Sequence, residues 1–318
     1  MPTPNWQPSA SISTLQQRAK ILSTIREFFA TRGIVEVETP LLSHATVTDP
    51  HIHSMTVMTP EKNTLYLQTS PEYAMKRLLA ANSGPIYQIT KAFRQDEAGR
   101  LHNPEFTMLE WYRPGYDHHA LMNEMDELLQ AVLHCETAER VSYAELFQHH
   151  LHLNPHTATQ NELQQCASLH ALSVEGKITD CNTWLQLLLS HLIEPQIGQV
   201  RPLFLYDFPP AQAALAKIRP GNPALASRFE VYFKGMELAN GFHELQDAEE
   251  QRRRFEKDLL KRQQRQIPAV PLDENFLAAL ATGLPDCSGV ALGIDRLVMI
   301  ATKVAAIADV MSFDFIRA

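Results

Sequence analysis

Apolar residues recur at helical spacing in some parts of the chain and alternate with polar residues in others. Over residues 13–32 they return every three or four positions, and Gly33 follows the last turn as a stop signal. We therefore predict a helix there, followed by a strand in IVEVETP that ends at Pro40. The same pattern predicts further helices at 71–81, 119–133, 247–265, 273–281 and from Asp295 onward.

Short apolar or alternating runs predict the strands. They lie at 65–68, 86–90, 105–112, 202–210 and 289–293, with a hairpin at 228–242 and a closing strand near 310–315. Hairpins and scattered helices predict an α+β fold, with a mixed, mainly antiparallel sheet flanked by helices. Residues 140–200 are mostly helical in pattern and show no chemistry that we can interpret. We expect them to be an insertion in a single domain that spans 1–318.

Composition narrows the class of protein. A hydrophobic fraction of 45% with only 12 glycines excludes a disordered or fibrous chain. The formal net charge of −8 gives no general attraction to nucleic acid, and the basic run 252–254 follows acidic residues, as on a solvated helix face. The four cysteines are scattered, and no secretory signal or apolar stretch of roughly 18 residues is visible. We expect a soluble cytoplasmic protein that makes no membrane contact.

The strand at 105–112 carries an acidic residue on an aromatic face. Strand parity places Phe106, Met108, Glu110 and Tyr112 on one side of the sheet. A glutamate there is costly unless a cation or hydrogen-bond donors meet it, which indicates a binding site. The alternative is a partly exposed glutamate at the margin of the sheet.

The predicted hairpin at 228–242 brings two carboxylates together. A turn at Lys234 and Gly235 pairs Tyr232 with Glu237, so Glu230 becomes the diagonal neighbour of Glu237 on the same face. Two carboxylates at that separation suit a hard cation such as Mg²⁺ that also holds substrate phosphates. The alternative is that these charges lie on the wet face of an amphipathic hairpin.

Three polar or aromatic residues follow on the second strand of this hairpin. Asn240, Phe242 and Glu244 share one face, which simple parity places opposite to Glu237. Either a bulge near 240–241 brings the two sets to the same side, or the two sets have different roles.

Two glycines bracket the strand in GVALGIDRLVMI, which leads into the last predicted helix. We expect Asp295 to cap that helix and Arg296 to lie at its start. Fixed positive charge and the helix dipole would both favour an anion there.

Together these stretches resemble motifs 2 and 3 of the class II aminoacyl-tRNA synthetases. The matching segments are FRQD, PEFT, ELANGFHE and GVALGIDR, in the order of the family. NPEFTMLEWY and ELANGFHEL look most like the lysyl enzymes, and the first helix with IVEVETPLL resembles motif 1, the dimer-forming element. The similarity covers the chain from about residue 13 to its C-terminus. Over that length the chain looks most similar to the elongation factor P–lysine ligase family, stand-alone relatives of the lysyl synthetase catalytic domain.

That resemblance implies an activity. The ligases of this family use ATP and Mg²⁺ to attach a lysine-type residue, preferentially (R)-β-lysine, to a lysine of elongation factor P. Motif 1 begins near the start of the chain, so we expect no N-terminal OB-fold, no anticodon recognition of tRNA, and a homodimer. Two alternatives stay open. One is a truncated synthetase-like enzyme that acts on tRNA or a small molecule, and the other is a non-catalytic regulatory subunit.

The resemblance also implies roles for individual residues. Arg94 and Arg296 would be the catalytic residues, holding the α-phosphate with the substrate carboxylate and the γ-phosphate, respectively. The residues implied around ATP are Arg94, Gln95, Asp96, His102, Phe106, Glu237, Leu238, Gly293 and Arg296. The implied amino-acid pocket comprises Ser70, Pro71, Glu72, Glu110, Tyr112, Asn240, Phe242, Glu244 and Ala291. Glu230 and Glu237 would hold Mg²⁺.

Three positions depart from the pattern of the lysyl enzymes. Asp96 stands where they usually have glutamate, and Leu101 stands where they have arginine, with Arg100 one position earlier. Ala291 replaces a usual glycine. The extra methyl group would reshape the floor of the amino-acid pocket and so affect which lysine isomer fits.

Overall fold

The chain folds into two compact units. Unit 1 comprises Met1–Tyr116, Ala131–Leu133 and Gln246–Ala318, and unit 2 comprises Asp117–Gln130 and His134–Leu245. The computed structural model describes residues 6–95, 97–173, 178 and 180–318. The single-domain organisation expected from the sequence stays a prediction.

The helices lie close to their predicted positions. In chain order they are α1 (Ile12–Ala30), α2 (Glu72–Ala80), α3 (His118–Leu133), α4 (Tyr143–Leu151), α5 (Gln160–Leu169), α6 (Cys181–Leu188), α7 (Ala248–Gln264), α8 (Glu274–Gly283) and α9 (Ile294–Thr302). A π-helical turn at Leu189–Ile193 follows α6, and short 3-10 helices occur at Glu194–Gln196, Pro210–Gln212 and Ile307–Val310. The helical pattern of 140–200 is therefore confirmed for α4, α5 and α6.

The strands include those predicted up to residue 293 and four short ones that were not predicted, at 42–43, 56–58, 139–142 and 218–219. In chain order they are β1 (Val35–Glu36), β2 (Leu42–Ser43), β3 (Thr56–Met58), β4 (Thr64–Leu67), β5 (Ile86–Phe93), β6 (Glu105–Pro114), β7 (Glu139–Ser142), β8 (Leu203–Phe208), β9 (Ile218–Arg219), β10 (Leu225–Phe233), β11 (Met236–His243) and β12 (Cys287–Gly293).

Unit 1 contains two sheets. In the larger one the strands that belong to unit 1 follow the order β1, β5, β6 and β12, with β1 parallel to β5 and the other pairs antiparallel. A small antiparallel sheet has the order β2, β4, β3. The long ladder between β5 and β6 runs from the pair Ile86 and Tyr112 to the pair Phe93 and Glu105.

Aromatic packing holds α1 against the larger sheet of unit 1. Phe29 stacks on Tyr87 of β5 with ring centroids 4.4 Å apart, and it meets the edge of Trp111 of β6 at 5.3 Å. All three side chains are buried. Because burying an aromatic side chain contributes about 1.5–3 kcal/mol, this cluster fixes β5 beside β6 and so fixes the faces of both strands.

Unit 2 contains its own run of strands and its own core. Its strands follow the order β11, β10, β8 and β7, with β9 against β10, and only the β7–β8 pair is parallel. Helices α4, α5 and α6 pack on these strands around Tyr143, which stacks on Phe147 and contacts Phe208. Antiparallel pairing therefore prevails in both units, and the predicted α+β class is confirmed.

The closing strand predicted near 310–315 is wrong. Its first residue ends a 3-10 helix, and the segment that follows is irregular. Its backbone instead bonds outside any sheet, since Ser9 N donates to Ser312 O and Phe315 N donates to Asn103 Oδ1. A short apolar run can thus be partly buried without joining a ladder.

Candidate active site

Glu110 of β6 is buried on the sheet face that parity predicted. Its side chain is 2% exposed, which excludes the alternative of a wet sheet margin. The Tyr112 hydroxyl donates to Glu110 Oε1 at 2.5 Å, so a neighbour on the same face supplies a donor that burial requires. A buried carboxylate that a hydrogen bond holds in place can bind a cationic ligand.

Strand β12 leaves room over Glu110. Ala291 lies opposite Glu110 in the ladder, with Gly289 opposite Tyr112 and Gly293 opposite Met108. At these three positions the methyl group of Ala291 is the whole side-chain contribution of β12 to the sheet face that carries Glu110. Glycine at such positions permits close approach of a ligand, so Ala291 is the residue of β12 that limits the space beside Glu110.

Arg94 follows the end of β5 and lies over Phe106. The guanidinium carbon is 5.1 Å from the centroid of the ring, and Nη1 is 3.5 Å from a carboxylate oxygen of Glu97. Arg94 N also donates to Pro104 O, which closes the loop between β5 and β6. Within the described part of the chain, the buried Nε of Arg94 has no hydrogen-bond partner. The guanidinium of Arg94 is thus held by the ring of Phe106, and its Nε–H can still donate a hydrogen bond. This arrangement is suited to an anionic ligand.

Arg296 of α9 lies against the same loop. Its Nη2 is 2.7 Å from His102 Nε2, and its Nε donates to Leu101 O at 3.3 Å. Loss of hydration lowers the pKa of His102, and the charge of Arg296 lowers it further. The imidazole is therefore neutral near pH 7 and accepts from the guanidinium. These two predicted nucleotide-binding residues are brought together.

Asp295 does not cap α9, which corrects the sequence prediction. The N-cap position is Gly293, and the buried carboxylate of Asp295 instead binds the rest of unit 1. Asp295 Oδ2 accepts from Thr107 N at 2.6 Å, and Oδ1 lies 2.7 Å from Arg18 Nη1. This connection fixes the first turn of α9, and hence Arg296, to the start of β6.

The three site residues predicted at the start of α2 do not share one environment. Ser70 and Pro71 line a cavity of about 360 Å³ in unit 1, together with Arg77. Glu72 instead forms an ion pair with Lys76, whose Nζ is 2.6 Å from Oε1. Lys76 is 1% exposed, so Glu72 neutralises a buried cation one helical turn away. We did not predict a role for Lys76 from the sequence, although its spacing from Glu72 could have indicated the ion pair.

The hairpin of β10 and β11 has the predicted turn and register. Lys234 and Gly235 both have positive φ, 53° and 72°, as a two-residue hairpin turn requires, and Tyr232 pairs with Glu237. The register then shifts by one residue, because the next partner of β10, Val231, faces Ala239.

The extra residue at this shift is Leu238, so a bulge does occur, slightly before the predicted position. Glu230 consequently lies opposite Asn240, and Tyr232 lies opposite Glu237. Because alternate residues of β10 share a face, Glu237 and Asn240 lie on the same side after all. The bulge thus brings together the two sets that simple parity had separated.

Arg228 connects several of these residues and was missed by sequence reasoning. Its guanidinium contacts the Glu230 carboxylate, and its Nε donates to Asn240 Oδ1 at 3.2 Å. The guanidinium also lies over the rings of Phe208, at 4.5 Å, and Phe242, at 6.0 Å. Arg228 stands two residues before Glu230 on the same strand face, and this spacing could have indicated the ion pair from the sequence.

Two acidic site residues of unit 2, Glu230 and Glu244, are buried, whereas Glu237 is partly exposed. Glu230 accepts a hydrogen bond from the Tyr232 hydroxyl as well as from Arg228. Burial raises the pKa of Tyr232 well above its usual range, and the charges of Glu230 and Glu237 add to this. Glu244, just after β11, is 1% exposed, and its backbone forms an isolated antiparallel β-bridge with that of Ala216. The carboxylate oxygens of Glu230 and Glu237 on one face fit the ligand preference of Mg²⁺.

The predicted site residues divide between the units. Those in unit 1 are Ser70, Pro71, Glu72, Arg94, Gln95, His102, Phe106, Glu110, Tyr112, Ala291, Gly293 and Arg296. Those in unit 2 are Glu230, Glu237, Leu238, Asn240, Phe242 and Glu244. Asp96 lies outside the described residues.

Comparison with known proteins supports the motif resemblance. The profile of the class II tRNA synthetases (D, K and N) matches residues 6–316. The chain belongs to this family. It is 54% identical over 328 residues to the elongation factor P–(R)-β-lysine ligase of Salmonella dublin, an alignment that covers 99% of each chain. Ligases of the same name from Salmonella typhimurium strain LT2 (53% over 328 residues) and Salmonella paratyphi B (54% over 322 residues) are also covered to 99%.

The family comparison confirms both the suspected membership and the predicted fold class. The structure adds one further observation on membranes: none of the helices in its described residues is long and apolar enough to cross a bilayer.

Proposed function

We propose that this protein is an ATP-dependent ligase that joins a lysine-type amino acid, preferentially (R)-β-lysine, to a lysine side chain of elongation factor P. The observation that carries the proposal is identity of 53–54% to ligases of that name over 99% of both chains. The buried pair of Glu110 and Tyr112 supports it, since a cationic amino acid needs an acidic pocket.

The first step forms an aminoacyl-adenylate. A carboxylate oxygen of the amino acid attacks the α-phosphorus of ATP, and the bond to pyrophosphate breaks. Arg94 would bind the α-phosphate and the substrate carboxylate, and Arg296 would bind the γ-phosphate. Each is fixed before substrate arrives, Arg94 by Phe106 and Arg296 by His102. Fixed cations of this kind stabilise the charge that develops on the phosphates.

Mg²⁺ would be held by Glu230 and Glu237, and when bound it would neutralise phosphate charge. The protein residues around it have a separate role. Arg228 and Tyr232 orient the carboxylate of Glu230, so this oxygen ligand occupies a defined position.

The amino-acid pocket would use Glu110, Tyr112 and Glu244 for the side-chain ammonium. Burying that ammonium without a carboxylate would cost roughly 3–5 kcal/mol, which makes buried acids a requirement of the substrate. Ser70, Pro71, Glu72, Asn240 and Phe242 would complete the pocket. Ala291, opposite Glu110, would distinguish the isomers of lysine.

In the second step the neutral ε-amine of the acceptor lysine attacks the acyl carbon. An amide bond forms, the bond to AMP breaks, and the amine loses a proton. AMP is an adequate leaving group, so no covalent intermediate with the enzyme is needed. We further propose that the ligase is a cytoplasmic homodimer, on the basis of the motif 1 resemblance and its acceptor.

The decisive experiment measures the intact mass of elongation factor P after incubation with the enzyme, ATP and (R)-β-lysine. The expected result is an increase of one lysyl residue that depends on ATP. Labelling of tRNA with no change in the factor would favour the truncated-synthetase alternative. Neither product, in a preparation that binds ATP, would favour a regulatory subunit.

A further inference from the structure

Two histidines and an aspartate form a cluster within unit 2. His118 and His119 are the first residues of α3, and their ring centroids are 4.1 Å apart. Asp207 of β8 lies beside them, with Oδ1 at 3.5 Å from His118 Nε2. One potential ligand atom from each of the three residues lies within 4.8 Å of the others. The proposed ligase reaction uses none of these side chains.

His118 is buried without the hydrogen bonds that an imidazole requires. The residue is 2% exposed, and neither ring nitrogen has a hydrogen-bond partner among the residues that the structure describes. A buried polar atom left in this state costs about 1–3 kcal/mol, and such atoms are rare in folded proteins. The arrangement therefore points to a ligand that the chain itself does not supply.

The backbone of Asp207 adopts an unfavourable conformation beside the cluster. Its φ is 61°, a left-handed conformation that costs a residue other than glycine on the order of 1–3 kcal/mol. The ladder shifts at the same place, since Tyr206 pairs with Phe229 while Phe208 pairs with Ala226. The extra residue of this bulge is in β10, so Asp207 lies opposite two residues, and its carboxylate lies beside the two histidines.

Other charged groups around the cluster are compatible with a bound cation. Arg219 and His118 both contact Asp207 Oδ1, so coordination through Oδ2 would leave the Arg219 contact intact. Arg219 would then orient the ligating carboxylate, as the outer partners of metal ligands do. Asp117, the N-cap of α3, adds a negative charge close to both histidines.

We propose that His118, His119 and Asp207 bind a divalent transition-metal ion, with Zn²⁺ as the best fit. Two imidazoles and one carboxylate, with water in the fourth position, are a ligand set that zinc accepts. Nitrogen ligands argue against Mg²⁺ and Ca²⁺, which prefer oxygen. Ligand atoms in a tetrahedral zinc site lie roughly 3.3 Å apart for bonds of about 2.0 Å, so a side-chain rotation would close the present separation.

The position of the cluster gives metal binding a consequence for the rest of unit 2. The ring of His118 is 6.5 Å from that of His243, which lies between Phe242 and Glu244. A metal would fix the start of α3 to β8 beside this end of β11. Metal binding should therefore reduce the mobility of two residues proposed for the amino-acid pocket.

The test is calorimetric titration of the full-length, tag-free protein with Zn²⁺ after treatment with a chelator. We expect one equivalent to bind and to raise the melting temperature. His119→Ala and Asp207→Asn should each weaken binding at least tenfold. The double variant His149→Ala with His150→Ala is the matched control, because these adjacent histidines have rings 4.9 Å apart on α4. Its affinity should equal that of the wild-type protein.

Three results would overturn the proposal. They are absence of binding to the wild-type protein, unchanged binding in both cluster variants, and loss of binding in the α4 control. Circular dichroism of each variant at the titration temperature establishes that it is folded. Acidifying the buffer should weaken binding, because protons compete with the metal ion for the imidazole nitrogens. These readouts require no ligase activity, so they stand apart from the proposed function.

Discussion

The hydroxyl of Tyr112 donates a hydrogen bond to the carboxylate of Glu110, 2.5 Å away, and both side chains are buried. They stand two residues apart on β6, so they share one face of a continuous strand. The strand itself therefore fixes the geometry of the pair. An acidic group is held in position for a cation before any ligand binds.

Replacing Tyr112 by Phe should weaken use of the lysine-type substrate. Loss of a donor to a buried charged acceptor costs about 1–3 kcal/mol, so we expect kcat/KM for the amino acid to fall roughly 10- to 100-fold. Amino-acid-dependent ATP–pyrophosphate exchange measures this, and KM for ATP should stay unchanged. Tyr116→Phe, which removes a hydroxyl bound to Arg113, is the control. An equal loss for ATP would contradict the assignment of Tyr112 to the amino-acid pocket.

Replacing Arg228 by Ala should destabilise the protein because it leaves Glu230 buried without its cation. Removing one partner of a buried ion pair costs about 3–5 kcal/mol, which a lower melting temperature will show. Adding Glu230→Gln should restore part of the loss, since the uncompensated charge is then gone. A double variant less stable than Arg228→Ala alone would show that the two side chains do not interact as described.

The face of each strand could be predicted from the sequence, because a period of two residues depends only on the chain. The relation of Glu237 to Asn240 could not, since parity assumes a regular ladder and Leu238 interrupts it. The partner of Asp295 was also beyond prediction. Asp before a helix usually caps it, whereas here a contact with Arg18, distant in sequence, takes precedence.

The cluster at the start of α3 shows the same limit. His118 and Asp207 are far apart along the chain, and they meet where an extra residue in β10 makes the ladder between β8 and β10 irregular. Lys76 and Arg228 are different, because each stands at a regular spacing from a glutamate that the sequence had already selected. Local partners of this kind can be predicted, and partners created by irregular backbone cannot.

Two ion pairs of unit 1 should differ sharply in their contribution to stability. The side chains of Arg18 and Asp295 are 15% and 3% exposed, whereas those of Arg26 and Glu36 are 50% and 38% exposed. Asp295→Asn should therefore cost about 3–5 kcal/mol. Arg26→Ala should cost about 1 kcal/mol or less, because water already screens that pair. Chemical denaturation compares the two, and equal losses would mean that burial of Asp295 does not determine its role.

Replacing Ala291 by Gly should change the preference between lysine isomers. Ala291 contributes the one methyl group that β12 places opposite Glu110, between Gly289 and Gly293. Removing it enlarges the space where the α-amino group of ordinary lysine would differ from the β-amino group of (R)-β-lysine. A methyl-sized change in a pocket alters selectivity by about 1–3 kcal/mol, so the ratio of kcat/KM for α-lysine to that for (R)-β-lysine should rise at least tenfold. Exchange assays with each isomer measure this ratio. Because both assays use the same ATP site, an unchanged ratio in an active variant would place the specificity determinant elsewhere than on β12.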